Sequence, residues 1–396
     1  MARNTLGFDA GSFKLASPAQ SLASIKGIPG FTNGKKRSVG GAVSRPELWS
    51  WGGNNSGQLG LGNLTYYSSP KQVGALATWA TVSGGRNASF AIKTDGTLWS
   101  WGRNYGGQLG DAGGVRSSPV QVGALTNWST VVGNYNFTLA IKTDGTLWAW
   151  GAGNYGKLGL GNTTNYSSPK QIGALTTWAT VATGKQFSLA IKTDGTLWSW
   201  GENGSGELGL NGPFSYSSPM QVGALTTWSK VSAGINATAA VKTDGTLWSW
   251  GGGVFGALGL GNTTNYSSPK QVGALTAWSK VTSGWFFSLA IKTDGTLWSW
   301  GYNATGQLGL GNTTNYSSPK QVGALATWSK VSAGFMGLGF ALATTTNGAL
   351  WSWGTNSFGN LGIGDNGQRN SPVQIGTLTG WSQIAGGYRS SLAIKT

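Results

Sequence analysis

A pentapeptide governs what this chain can become. Leu-Trp-Ser-Trp-Gly, once with Ala in place of Ser, begins at Leu48, Leu98, Leu147, Leu197, Leu247, Leu297 and Leu350. Successive copies lie 50, 49, 50, 50, 50 and 53 residues apart. A repeat of that period encodes one supersecondary unit many times over, because a lone unit cannot bury its own apolar face and must stack on its neighbours. A second marker runs in step at Trp79, Trp128, Trp178, Trp228, Trp278, Trp328 and Trp381. Together the two patterns account for 21 of the 22 tryptophans, and Trp285 alone stands outside them.

One unit shows what is repeated. Residues 228–234 are short, alternating and end on Gly, and residues 238–242 form a second apolar run. Asp244-Gly245 follows, a dipeptide that predicts a type I′ hairpin turn with positive φ at both central positions. Residues 247–251 are aromatic and alternating, and a Gly- and Asn-rich loop leads into residues 267–272, where Pro269 demotes the run to an edge strand. Four short strands per unit, with no amphipathic helix between them, describe a propeller blade. Seven units predict an all-β, seven-bladed β-propeller over residues 46–396.

The chain ends predict how the ring shuts. The last unit stops at Thr396, just before the place of its Asp-Gly turn, and the first begins at Pro46 and Glu47, just after it. Pairing the N-terminal strand with the C-terminal one completes that hairpin and removes an open sheet edge. Thr396 is therefore expected close to Glu47.

The loop after each pentapeptide carries a resemblance. Trp-Gly-x-Asn-x-x-Gly-Gln-Leu-Gly-Leu-Gly, as in residues 300–311, resembles the signature of the regulator-of-chromosome-condensation (RCC1) repeat family. The likeness runs from about residue 46 to 396 and implies a seven-bladed propeller, in agreement with the count of units. Many members carry His in the second strand. Here those positions hold Ala88, Phe137, Phe187, Ala237, Phe287 and Ser390, so apolar packing is expected in place of a His hydrogen bond. The family's eukaryotic role is nucleotide exchange on a small nuclear GTPase, and no residue of this chain carries that role over. The near-identical repeats without His resemble the family's bacterial and phage members.

Composition narrows the chemistry. The chain of 396 residues has no Cys and no His, which excludes disulfides, thiol nucleophiles, Cys or His metal sites and a Ser-His-Asp triad. Of its 11 acids, Asp95, Asp144, Asp194, Asp244 and Asp294 fall in turns. Glu202 and Glu207 share one loop, but no other acid joins them as a glycosidase pair would require. We expect no catalysis, no cofactor and no metal. The net charge of +16 is spread round the ring by the repeat, so it serves solubility and steering rather than specific nucleic-acid binding. No apolar run is long enough to span a membrane, and the N-terminus lacks the apolar segment of a Sec signal peptide.

Comparing the units with one another locates a candidate face. The turns at one end are alike: Lys-Thr-Asp-Gly-Thr occurs five times. The loops at the other end, the upper face, differ in almost every unit. Differing loops on a constant scaffold suit recognition, and Arg and large aromatics are the usual anchors of an interface. The candidate binding residues are Arg86, Arg103, Tyr105, Tyr135, Phe255, Trp285, Phe286, Tyr302, Phe335, Tyr388 and Arg389. The alternative is that these side chains plug the channel or pack between blades.

Residues 1–45 lie outside the repeat. They are rich in Gly, Ser, Ala and Lys with scattered apolar residues, so they are expected to be an extended arm that orders against a partner in a larger assembly. An arm plus a rigid disc suits a structural or binding protein displayed on a virion or similar surface assembly, its upper face offered to a receptor protein or glycan. The alternatives are a soluble inhibitor or adaptor, as in a bacterial propeller of the family that caps a β-lactamase, and a guanine-nucleotide exchange factor.

Overall fold

The computed structural model describes residues 46–75, 78–334 and 339–396. Within them the repeat forms seven four-stranded antiparallel sheets. The blades span residues 79–121, 128–171, 178–221, 228–271, 278–321 and 328–374, and the seventh combines residues 381–395 with 47–72. The first strand of every blade lies against the first strands of both neighbours, which closes them into a ring around a central channel. Pro269 falls in the outermost strand of its blade, Tyr266–Gln271, where a missing N–H breaks no ladder bond on the open side.

Closure is as the chain ends imply. Strand Glu47–Gly52 pairs antiparallel with Ser390–Lys395, with Glu47 opposite Lys395. The two ends of the chain thus supply neighbouring strands of one sheet.

The pentapeptide is the chemistry of blade stacking. In the first blade, Leu98 and Ser100 lie on one face of the strand and Trp99 and Trp101 on the other. Ser100 Oγ donates to the carbonyl of Leu109 at 2.8 Å and so holds its own blade's upper loop. The buried Trp101 indole reaches into the preceding blade, where Nε1 donates to the carbonyl of Gln58 at 2.9 Å, and Ser89 Oγ of the same blade donates to that carbonyl at 2.8 Å. The equivalent indole bond recurs at every seam, from Trp150 to Gln108, Trp200 to Lys157, Trp250 to Glu207, Trp300 to Ala257, Trp353 to Gln307 and Trp51 to Asn360. The hydrophobic clusters sit across the same seams. Leu48, Val73 and Leu392 of the seventh blade pack with Trp79, Ala91 and Trp101 of the first.

The repeated signature glycine has a steric cause. At Gly102 φ is +101°, and a Cβ there would stand 2.4 Å from the carbonyl oxygen of Asn87.

The lower hairpins depart from expectation in one respect. Gly96 N donates to the Lys93 carbonyl at 2.9 Å, Lys93 N donates to the Thr97 carbonyl at 3.0 Å, and only Gly96 has positive φ. This is a three-residue loop, a type I turn closed by a left-handed glycine, not the two-residue type I′ turn expected of Asp-Gly. The Asp side chain explains the preference, since Asp95 Oδ1 accepts from both Thr97 N at 2.9 Å and Thr97 Oγ1 at 2.7 Å. Thr97 Oγ1 in turn accepts from Trp99 Nε1 at 2.9 Å, and Lys93 Nζ lies 3.7 Å from the Trp99 ring centroid. Every residue of Lys-Thr-Asp-Gly-Thr except the first Thr is thereby committed to the turn or to the neighbouring Trp, which accounts for its repetition.

Candidate functional site

The upper face gathers loops of two kinds, those leaving the first strand of each blade and those following Trp-Gly. Eight of the eleven sequence-predicted residues form one chain of ring and cation contacts across it. Arg389 lies 5.0 Å from the Tyr388 ring, and Arg86 lies 5.3 Å from the same ring and 4.4 Å from that of Tyr135. Tyr135 meets Trp285, Trp285 meets Phe286, Phe286 meets Phe255 and Phe255 meets Tyr302, at centroid separations of 6.4, 6.1, 5.5 and 4.7 Å. Burial and the Tyr388 phenol push the Tyr135 hydroxyl above the usual tyrosine range, against the opposing effect of Arg86. The Tyr135 ring therefore keeps its hydroxyl proton over a wider pH range than a free tyrosine.

Arg103 and Tyr105 stand beside this belt, the guanidinium 4.1 Å from the ring centroid. Tyr105 is 77% exposed. These two join Arg86 and Tyr135 in lining a polar cleft of about 350 Å³. Phe335 lies outside the described residues, as do residues 1–45.

Phe255 adopts a left-handed backbone conformation. Its φ is +58°, and 39% of it is exposed. A non-glycine residue in that region carries about 1–3 kcal/mol of strain, and such strain concentrates at binding sites. Tyr155 repeats the conformation at the same place in the second blade, with φ +61°.

Other members of this surface escaped the sequence reading. Phe358 lies 4.1 Å from the Arg389 guanidinium and 6.0 Å from the Tyr66 ring, and Lys185 lies 5.8 Å from the Tyr135 ring. Tyr155 and Phe358 hold the same loop position as Phe255, so an alignment of the loops by position would have found both. Four amide residues of the cleft, Gln108, Asn136, Asn154 and Asn165, carry no signal in a chain so rich in Asn.

Two charged groups lie buried beneath the upper face. Lys157 is fully buried, and its Nζ donates to Asn136 Oδ1 at 3.0 Å, Asn154 Oδ1 at 2.7 Å and Gln186 Oε1. Burial lowers its pKa to about 7 despite the opposing pull of Glu202. Glu207, 1% exposed, accepts from Ser205 N at 2.7 Å, and burial raises its pKa to about 7. Both occupy the place that Gln58, Gln108 and Gln307 hold in other blades, where the Gln58 and Gln108 side chains accept from the backbone N–H two residues earlier. That shared contact assigns Glu207 to holding its loop.

The rim is built differently. Four inter-blade seams open outward as apolar grooves of about 320–460 Å³, lined by the repeat's own Gly-Leu-Gly, Pro and Trp positions. What recurs at each seam is the repeat itself. The upper cleft belongs to one place on the ring. Among the described residues no helix is long and apolar enough to cross a membrane.

The comparisons with known proteins agree with this architecture. The model of the RCC1-like domain matches residues 42–341, and that of the regulator of chromosome condensation (RCC1) repeat matches residues 347–394. No curated protein matches the sequence. Among solved structures the fold is similar to Prp20p of Saccharomyces cerevisiae, at 20% identity and a TM-score of 0.79, covering 90% of this chain and 92% of that one. It is equally similar to human WBSCR16, at 20% identity and a TM-score of 0.79, covering 89% and 99%. The Prp20p structure is described together with that protein's binding to Gsp1p and histones, and a second yeast RCC1 structure was solved with Kap60 bound.

Proposed function

The chain belongs to the family of RCC1-like domains, and from that premise we propose that it is a non-enzymatic binding protein whose upper face is its recognition surface. The observation that carries the reading is the belt from Arg389 to Tyr302, which joins side chains of five blades on the face where the loops differ. The opposite turns are fixed by a contact set common to most blades, so they carry no information specific to one place on the ring. Relatives of the same fold bind proteins, which supports a macromolecular partner here.

Within this reading, residues 1–45 are an arm that seats the chain in a larger assembly, and residues 46–396 are the displayed propeller. The absence of the family's His residues and the near-identity of the units favour a bacterial or phage setting, with the propeller on a virion or comparable surface. Two experiments test the two halves. Limited proteolysis, read by intact mass on the isolated chain and on its source particle, should cut the arm quickly alone and slowly in the particle. Equal cutting in both states removes the anchoring role. For the face, the triple variant Phe255→Ala, Phe286→Ala, Tyr302→Ala should lose the partner that the wild type retains, whereas Thr94→Ala on the lower face should keep it. Retention by the triple variant refutes the assignment of the face.

A second reading, nucleotide exchange on a small GTPase, is favoured by the likeness to Prp20p. It requires faster nucleotide release from a GTPase in the presence of the chain, and no acceleration across a GTPase panel disposes of it.

A further inference from the structure

The cleft beside the belt has a composition of its own. Its charged side chains are arginines, Arg86 and Arg103, and it is lined by no carboxylate. Among the described residues the ion pairs are Arg116 with Asp111 and Arg369 with Asp365, so neither cleft arginine has an acidic partner. Among the described residues Arg86 Nε is buried without a hydrogen-bond partner. A buried donor in that state carries a free-energy cost.

The amides of the cleft are oriented by the protein itself. Asn136 Oδ1 and Asn154 Oδ1 accept from Lys157 Nζ, Asn165 Oδ1 accepts from Gly153 N at 2.9 Å, and Gln108 Oε1 accepts from Gly106 N at 2.8 Å. Their acceptor atoms are thus engaged internally. The capacity left over consists of donors, namely the amide N–H groups of Asn136, Asn165 and Gln108, the two guanidinium groups and the Tyr105 hydroxyl. A site built so calls for a ligand that is anionic and bears several acceptors.

Resting on the reading of the upper face as a recognition surface, we infer that this cleft binds a carboxylated sugar, a terminal uronic or sialic acid of a glycan. The arginine fork matches a carboxylate in a bidentate way that an ammonium cannot. The spread amide donors match ring and hydroxyl oxygens. A Glu or Asp side chain of a peptide ends in two oxygens on an apolar stem, which leaves most of these donors unused and finds few apolar walls. The volume is that of a small-molecule site. Tyr105 offers one open ring face at the rim for the apolar side of a second sugar unit, since Arg103 covers the other.

The test is a titration of the full chain, by calorimetry and saturation-transfer NMR, with sialyllactose and with a glucuronate-terminated disaccharide. Lactose and maltose are the neutral controls. We expect saturable binding of at least one acid sugar, about tenfold or more tighter than either neutral sugar. Arg103→Lys, which keeps the charge and loses the fork, should weaken it by about tenfold. Gln108→Glu should abolish it, and the fold accepts that change because Glu207 already occupies the equivalent position two blades further on. Thr94→Ala, in a lower-face turn away from the cleft, should leave it unchanged. No saturable binding of either acid sugar, equal binding of the neutral sugars, or indifference to Gln108→Glu overturns the inference. A glutamate-rich peptide that binds through the same arginines while the sugars fail also overturns it, yet leaves the upper face as a recognition surface. Failure of that broader reading registers separately, in retention of the partner by the Phe255, Phe286, Tyr302 triple variant.

Discussion

The rings of Tyr135 and Trp285 meet with centroids 6.4 Å apart, although they belong to the second and fifth of seven blades. Blades so far apart in a ring touch only across its axis, so the one tryptophan outside the repeat caps the upper mouth of the channel. The two sequence readings of Trp285, surface anchor and channel plug, therefore describe the same atoms.

That position sets a stability expectation. Trp285 is partly exposed and makes ring contacts with Tyr135 and Phe286, whereas Trp200 is fully buried at a seam and bonded to the Lys157 carbonyl. Trp285→Ala should cost about 0.5–1.5 kcal/mol, the worth of aromatic pairing at a partly wet site. Trp200→Ala should cost about 3–5 kcal/mol, as for a large residue removed from a close-packed core. Denaturant unfolding of both variants checks this, and equal losses would make Trp285 a core residue rather than a cap.

The sixth blade offers an internal repair. In the first five blades a Thr two residues before the first Trp of the pentapeptide accepts its indole N–H, at 2.9 to 3.0 Å. The sixth has Ala349 there, and Trp351 Nε1 is buried with no partner among the described residues. Ala349→Thr should raise stability by about 0.5–1.5 kcal/mol, the net value of one such bond, read as a higher denaturant midpoint at unchanged slope. Asn347 already takes the place of Asp, accepting from Ala349 N at 3.1 Å, so the turn needs no other change.

The contrast between legible and illegible features follows from this chemistry. Blade number, strand order and the pairing of the N-terminal strand with the C-terminal one were readable because each follows from a pattern written many times or from where that pattern breaks off. The hairpin type was not, because Asp-Gly suits both a two-residue turn and a type I turn with a left-handed Gly. The deciding factor is the bond from Thr97 to Asp95. The meeting of Tyr135 with Trp285 depends on the ring's diameter, which no local pattern encodes. The cleft escaped notice because its orientation rests on Lys157, a residue that in sequence looks like one more surface cation.

Closure by the chain ends should be indispensable. Strand Ser390–Lys395 is paired on one side with Glu47–Gly52 and on the other with Trp381–Gly386. Deleting residues 390–396 strips both neighbours of a full ladder and exposes the cluster that joins the seventh and first blades. The truncated chain should lose its single cooperative unfolding transition and expand in solution scattering. A circular permutant joining Thr396 to Pro46 through a short turn, with new ends in another lower hairpin, should keep both the transition and the size. A folded, compact truncation product would show that the ring does not need this seam.

The two buried charges give opposite pH slopes that meet near neutrality. Glu207 titrates at about 7 in the folded chain against an ordinary 4.5. Between those values the folded state holds a proton that the unfolded state has lost, so stability falls as pH rises from 4.5 to 7. Lys157 titrates at about 7 against an ordinary 10.5. Between those values the unfolded state keeps a proton that the folded state has shed, so stability climbs as pH rises above 7. Lys93, Lys242, Lys280 and Lys330, also lowered by burial, add to the climb. The turn aspartates Asp95, Asp144, Asp194, Asp244 and Asp294 titrate below 3.8 and leave this window untouched. The thermal midpoint of the wild type should therefore pass through a trough near pH 7. Glu207→Gln should flatten its acid side and Lys157→Gln should shallow its alkaline side, each restoring the amide that other blades carry. A midpoint that peaks at pH 7 and is moved by neither variant would mean that both groups are ionised at no cost, against their burial.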